Sequence, residues 1–568
     1  MNDINVFFEM TEQLKLKSIP RKTNMKILVF EKIADIFQFK KFYKEYEVNK
    51  LLKTVYSDFP SLRRYLVDFK LLCRDSKGYI YWRNENYKKD IHIENKNLYS
   101  FIIRKFKNCS YIEYSSDQCN LLIDEYFNAS INQQIIILEK NGLRLNKEIF
   151  RLSHFNLYLE LSKEITLIKN TKNENVIKIK MEKAELNNIS DMSDSVFFHM
   201  LDLGFVVLKN EDEFDDYIKQ SLSWYKENKV ASIMFVPTTR CNFYCRYCYE
   251  NDINRNEDMT ICELIENFNK LKQFSIEEQL KAINFTLYGG EPSLISKELA
   301  DEFIKQIISL SIPYSIDIVS NGYELSESLK TVMRNLKIGS YQITLDGPKR
   351  IHDSIRKLSI GGNTFDNIIK NMHAIFDGNL CNEIIVRINC SQLNLDFIPE
   401  LLDFLELEFN SVIDKMFVSF GLLSSGMSDK GNEEVENTRL GNKEIIKYCN
   451  LYKLAQKKGF RCASRYCVSN LCMNKEPGNI IIAPNFKYYK CMKAFGYKEL
   501  TCDFESIYDS NLNLNSIVEC KEKKCEFLPY CFLGCLMEDY ITNGTMNKFC
   551  EYDQLKTINE GILYELYK

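Results

Sequence analysis

Between residues 232 and 422 the chain alternates strand-like and helix-like segments six times, and few folds accept that pattern. The strand-like runs are 233–236, 283–288, 315–319, 341–345, 384–388 and 415–419, and helical periodicity fills the gaps, as at 264–268 and 303–308. Strands separated by helices cannot form tight hairpins; they pair in parallel through crossovers and give an α/β sheet or barrel. In such folds the ligand site lies at the C-terminal ends of the strands.

Every polar motif of this region falls at such an end. The first strand runs into Arg240-Cys241-Asn242-Phe243-Tyr244-Cys245-Arg246-Tyr247-Cys248-Tyr249-Glu250. Three thiolates on one short loop can hold three corners of an iron–sulfur cubane, which leaves the fourth iron open to a small molecule. The second strand ends in Gly289-Gly290-Glu291-Pro292, whose glycines allow close approach to the backbone and whose Glu291 offers an acceptor. Ser320-Asn321-Gly322 follows the third, Asp346-Gly347-Pro348 the fourth, and the fifth carries Arg387 and Asn389. Each alone is ordinary turn chemistry. Five in register at one barrel mouth point to a site.

The chain has 20 cysteines among 568 residues, with no basic segment leading into an apolar run at the N-terminus and no apolar stretch near the ~20 residues a membrane span needs. A cytosolic protein is expected, where disulfides are rare and thiols serve metals or catalysis. Six cysteines, at 73, 109, 119, 262, 381 and 390, are scattered and read as buried thiols. Eleven lie from Cys449 onward, among them Cys520, Cys525, Cys531, Cys535 and Cys550, a count that suits two four-thiolate clusters better than a zinc ribbon. A net charge of −3 argues against nucleic-acid binding through bulk electrostatics.

Set together, these motifs resemble the radical S-adenosylmethionine (SAM) enzymes that carry a C-terminal SPASM domain, a branch of peptide and protein maturases. The likeness rests on the cysteine loop at 241–250, the glycine-rich loop at 289–292, the run from Thr344 to Arg356, the later Gly361 with Thr364-Phe365-Asp366, and the cysteines after 460. It implies a partial (β/α)6 TIM-type barrel with a loop-rich cluster-binding domain after it. It also implies a [4Fe–4S] cluster on Cys241, Cys245 and Cys248, with SAM chelating the open iron. Gly289, Gly290 and Glu291 would bind the cofactor's amino group, Thr344 and Arg387 its carboxylate, and Ser320 and Asn321 would lie near the ribose. One auxiliary cluster would take Cys472, Cys491, Cys535 and Cys467, with Cys462 as a competitor; a second would take Cys520, Cys525, Cys531 and Cys550. Two spacings depart from the family pattern, Cys520 to Cys525 and Cys467 to Cys472. Met492 stands where sulfatase-maturing relatives place an aspartate.

The remaining chain divides, on this reading, into a winged-helix-like domain at 1–92, a helical connector at 93–150 and an α+β element at 151–228, before the barrel at 229–440 and the cluster domain at 441–568. Residues 46–82 resemble a bacterial winged-helix domain of unknown function, in which Arg63 and Arg64 would sit on a recognition helix or make local ion pairs; peptide binding at a strand edge is a third option. The element at 151–228 resembles the leader-binding element of peptide-modifying radical SAM enzymes. The expected activity is modification of a peptide or protein, with thioether or other crosslinking in a ribosomally made precursor foremost. An external electron donor and a leader-bearing substrate are the expected partners. A sulfatase-type maturase, a small-molecule dehydrogenase and a cluster-based DNA-binding redox regulator are the alternatives.

Overall fold

The computed structural model describes residues 7–83, 147–250, 253–423 and 440–568, apart from 10–13, 21–22, 39–41, 70, 75–79, 187, 464, 467–472 and 510–513. The connector expected at 93–150, the wing turn at 75–78, and Cys467 and Cys472 therefore lie almost entirely outside the described residues. The chain forms two compact units, one of residues 1–151 with 188–209 and one of 152–187 with 210–568.

In the first unit, helix α1 (Thr23–Ala34), strand β1 (Phe42–Lys44), helices α2 (Glu45–Val55) and α3 (Phe59–Asp68), and strands β2 (Leu72–Arg74) and β3 (Ile80–Arg83) occur in that order. The strands form an antiparallel sheet ordered β1-β3-β2. Asp58 caps α3 by accepting from the Ser61 amide. The α3 core residues Leu62 and Leu66 pack with Val48 and Leu52 of α2 and with Phe30 of α1. Arg63, on α3, forms a local ion pair with Glu45 and donates to Asn49 at 2.6 Å. Short strand β4 (Phe150–Leu152) begins the next region.

The second unit contains β5 (Asn156–Ser162), β6 (Ile165–Asn170) and β7 (Val176–Ile179), an antiparallel three-stranded sheet. Leu157 and Leu167 of this sheet pack on Phe527, Tyr530, Leu555 and Leu563 near the C-terminus. The following helix α4 (Asp194–Asp202) and strand β8 (Val206–Leu208) cluster with the first unit, whereas helix α5 (Glu213–Asn228) clusters with the second. The span 151–228 is thus shared between two units, because its apolar faces have different partners.

The centre of the second unit is the expected barrel sheet. Strands β9 (Val230–Phe235), β11 (Ala282–Leu287), β12 (Tyr314–Ser320), β13 (Ile338–Thr344), β15 (Glu383–Cys390) and β16 (Met416–Leu422) pair in parallel, each with its sequence neighbour. Helices on the outer side bury one stripe each; Thr260 and Glu263 form a capping box at the start of the helix Ile261–Glu277, which buries Leu264, Phe268 and Leu271. The short strand β10 (Phe243–Cys245) pairs antiparallel with β14 (Arg356–Leu358) outside this sheet. The sheet continues past both ends of the six: β17 (Arg461–Cys462) joins β16, and β18 (Asn479–Ala483) joins β9 in parallel, with β19 (Lys487–Tyr489) beside it. The position near 440 therefore marks no break in the sheet. Among the described residues no helix is long and apolar enough to cross a membrane.

Candidate active site

The cysteine loop leaves β9 and is fixed from three sides. The ribbon β10–β14 sets Cys245 opposite Arg356, and the Ser359 amide donates to the Asn242 carbonyl at 2.8 Å. Arg255 reaches into the loop: its Nε donates to the Glu250 carbonyl at 2.9 Å, one Nη to the Phe243 carbonyl at 3.0 Å and the other to Cys248 Sγ at 3.4 Å. Tyr247, between the second and third cysteines, turns its hydroxyl into a buried polar network. It bonds the Asp346 carboxylate and accepts from Arg356 Nη1 at 2.7 Å and Asn389 Nδ2 at 3.0 Å. Asp346 also accepts the Asn389 amide at 2.9 Å, and its own amide donates to His352 Nδ1 at 3.3 Å. Burial holds the His352 imidazole well below its ordinary pKa, so this ring is a neutral structural acceptor.

The glycine-rich loop fits against the same segment. A side chain at Gly289 would overlap the Thr238 carbonyl, and one at Gly290 the carbonyls of Thr239 and Arg240. The close approach that these glycines permit is to the chain's own backbone leading into the cysteine loop. Gly290→Ala is expected to cost roughly 1–3 kcal/mol of stability, because backbone cannot yield as a side-chain tip can; thermal denaturation and iron content of the reconstituted protein would register it. Glu291 is fully buried, and its carboxylate accepts the Ser293 amide at 2.9 Å, the Ser320 hydroxyl at 2.7 Å and the Asn321 amide at 2.7 Å. The expected acceptor of Glu291 thus faces the end of β12 and ties the second and third strand ends together. Asn321 Nδ2 donates onward to Asn242 in the cysteine loop at 2.7 Å.

Thr344 and Arg387 stand opposite one another at the ends of β13 and β15. Arg387 donates to Asn389 at 3.1 Å and to Ser419 at 3.2 Å, in space left by Gly421, where any side chain would overlap the guanidinium. It lines a cavity of about 510 Å³ together with Ser419, Tyr466, Lys493, Cys535 and Glu538; Lys493 and Glu538 form an ion pair there. A neighbouring cavity of about 630 Å³ is bordered by Cys390, Glu551 and Cys550.

Do the cysteines suit clusters? Among the described residues none is in a disulfide, and no three Cys, His, Asp or Glu side chains converge on the point one metal ion would occupy. A cubane takes one thiolate at each iron corner, so its ligands stand apart. Burial pushes Cys241 and Cys248 up to about 12 and raises Cys245. Burial raises Cys381 and Cys390 in the same way, so the shift reports desolvation of the thiol. Cys520, Cys525, Cys531 and Cys550 lie within one another's electrostatic reach. Cys491 follows β19, and it and Cys535 both pack against the core cluster that contains Met234, Tyr489 and Met537, whereas Cys462 lies on β17 with its thiol bonded to the Tyr452 carbonyl. The three thiols of the first loop and the four of the set Cys520, Cys525, Cys531 and Cys550 are donors of the kind such clusters take, whereas Cys467 and Cys472 lie outside the described residues.

Tyr247 and Arg255 are anchors of the loop that the spacing of the cysteines does not announce. A hydroxyl aromatic inside the three-cysteine loop is the one available signal for the first. Nothing marks the second, seven residues beyond Cys248.

This geometry, a parallel barrel sheet with a three-cysteine loop at the end of its first strand, agrees with comparison to known families. Residues 235–405 match the family described as the radical SAM superfamily, and residues 15–83 match an uncharacterized protein family conserved in bacteria. The chain therefore carries a radical SAM domain and is an enzyme of that type, using a [4Fe–4S] cluster and SAM. Among curated proteins it is similar to the radical SAM cyclopropyl synthase TigE of Paramaledivibacter caminithermalis, 22% identical over 77% of this chain and 95% of that protein. It is also similar to a cysteine-type anaerobic sulfatase-maturating enzyme of Clostridium novyi, 25% identical over 57% and 93% of the two chains. Among solved structures, SuiB of Streptococcus suis bound to S-adenosylmethionine aligns over 71% of this chain and all of that one, with a TM-score of 0.43 at 13% identity.

Proposed function

We propose that this radical SAM enzyme modifies a peptide or protein in the cytosol, joining a cysteine sulfur to carbon or making another crosslink. The observation that carries this reading is the cavity beside Arg387, about 510 Å³, with one wall from strand ends β15 and β16 and the other from the cysteine-rich end. That volume suits a side chain and its flanking backbone. Cys241, Cys245 and Cys248 would hold the SAM-cleaving cluster, and Cys491 and Cys535, together with the set Cys520, Cys525, Cys531 and Cys550, would hold auxiliary clusters. When bound, the cluster and SAM supply a 5′-deoxyadenosyl radical that takes hydrogen from an unactivated carbon. The chain's own residues do the rest. Arg387 offers a cation at the cavity wall for a carboxylate, the Asp346–Tyr247–Arg356 network holds the cysteine loop in place, and the Lys493–Glu538 pair presents both charges to the substrate.

The C. novyi relative is by its name a sulfatase-maturating enzyme, which favours a protein substrate as a class. The sheet β5–β7, packed on the cysteine-rich end, is the proposed leader-binding element. The test is anaerobic incubation of the reconstituted, reduced protein with SAM and short cysteine-containing open reading frames encoded beside its gene. Deoxyadenosine together with loss of two hydrogen atoms from one peptide is the expected result. Deoxyadenosine with every such peptide unaltered would overturn the peptide reading.

A further inference from the structure

The ribbon that carries Cys245 has a second face. Strand alternation turns Phe243, Cys245 and Arg356 inward, and Tyr244, Arg246 and Lys357 outward. Tyr244 is 60% exposed, and Ile360, in the turn closed by the Gly361 amide on the Leu358 carbonyl, is 92% exposed. Cations close in sequence to the ribbon are paired: Arg240 with Asp258, Lys349 with Asp366 and Arg350 with Glu400. Arg246 and Lys357 have no ion pair among the described residues. The outer face thus presents the exposed Tyr244 beside Lys357, with Arg246 and Ile360 further along the same ribbon and turn, on the side opposite Cys245.

We propose that this outer face of the ribbon is the docking surface for a small acidic one-electron carrier protein. The inference rests on Cys241, Cys245 and Cys248 holding the cluster. Cleavage of SAM consumes one electron, and a crosslink that removes two hydrogens from the peptide leaves one electron over. An outside donor therefore supplies the electron that first reduces the cluster and replaces any that escapes, as in cleavage without peptide. The carrier is oxidised by one electron, the cluster is reduced by one, and no proton or bond changes hands in the transfer. The buried face of the ribbon holds a cluster ligand and its exposed face is open, so a carrier seated there comes nearer the cluster than one on the helical side of the barrel. Opposite charge steers such a partner, and a patch of this size suits a weak, short-lived encounter.

Lys357→Glu combined with Ile360→Asp tests this, since neither side chain has a place in the machinery described above. Deoxyadenosine formation is followed with reduced plant-type ferredoxin and separately with dithionite, and the binding of oxidised ferredoxin to the cluster-loaded protein is measured by calorimetry. The double variant is expected to weaken ferredoxin binding, and raise its Michaelis constant, at least tenfold, while the dithionite-driven rate and iron content hold. In the unaltered protein the ferredoxin-driven rate should fall with added salt and the dithionite-driven rate should not. Unchanged ferredoxin binding in the variant, an equal fall with both reductants, or a ferredoxin that fails to drive the unaltered protein while dithionite does, would overturn the proposal. Failure of dithionite to yield deoxyadenosine from the unaltered, iron-loaded protein would instead refute the cluster assignment. If the double variant loses iron, Lys357→Gln alone decides by the same two readouts.

Discussion

Replacing Cys241, Cys245 and Cys248 together by alanine should abolish deoxyadenosine formation while leaving most of the iron in place. The fully loaded chain is expected to hold about twelve irons if three [4Fe–4S] clusters are present, and the triple variant about eight. The structure supports independent sites. The three-cysteine loop is anchored by Tyr247, Arg255 and Asn242 to the barrel, whereas Cys520, Cys525 and Cys531, after residue 514, pack in clusters with Phe155, Phe214, Phe527 and Leu528. Loss of the loop's cluster leaves those contacts untouched. Iron counting and electron paramagnetic resonance on the reduced variant provide the check. Loss of all iron would mean that the clusters fold as one unit, and retention of deoxyadenosine formation would remove the loop from the chemistry.

The barrel was legible because β9, β11, β12 and β13 are buried along nearly their whole length and so read as apolar runs, while β15 and β16 alternate as half-buried strands do. All six strand-like runs coincide with observed strands. Strand β18 is also apolar, Asn479-Ile480-Ile481-Ile482-Ala483, yet its place beside β9 is a pairing between residues nearly 250 positions apart that no local pattern encodes. The same limit applies to 151–228: the alternation of β5 to β7 indicates a sheet with one buried face, and it cannot say that Leu157 and Leu167 will meet Leu555 and Leu563. At the site, the structure shows which groups the motif residues meet within the chain. Gly289 and Gly290 do mark a close approach, and the group that approaches is the Thr238–Arg240 backbone; Glu291 does accept hydrogen bonds, from Ser293, Ser320 and Asn321. A motif gives residue types and spacing, whereas a buried carboxylate turns to whichever donors the fold brings to it.

Lys475 is the extreme case of a residue silent in the sequence, and its removal is expected to have the largest effect on stability. Its side chain is fully buried and its ammonium donates to the carbonyls of Cys531, Phe532 and Gly534 at 3.4, 2.6 and 2.6 Å. Those carbonyls converge because Phe532, Leu533 and Gly534 all adopt left-handed backbone, with φ of 41°, 75° and 71°. Gly534 is required twice over, since a side chain there would overlap the Phe549 carbonyl next to Cys550. Left-handed conformations at non-glycine residues cost on the order of 1–3 kcal/mol each and persist only where surrounding bonds hold them. Lys475→Met keeps the length of the apolar stem and deletes the charge, leaving inward-facing carbonyls without their donor. Charged hydrogen bonds of this kind are worth about 1.5–3 kcal/mol, so a loss of about 2–4 kcal/mol is expected, with the strained turn between Cys531 and Cys535 relaxing first. The exposed Lys498→Met should change stability by less than about 0.5 kcal/mol. Thermal denaturation of both variants, with amide exchange at residues 532–534, separates the outcomes: equal stability of the two would show that the turn holds itself.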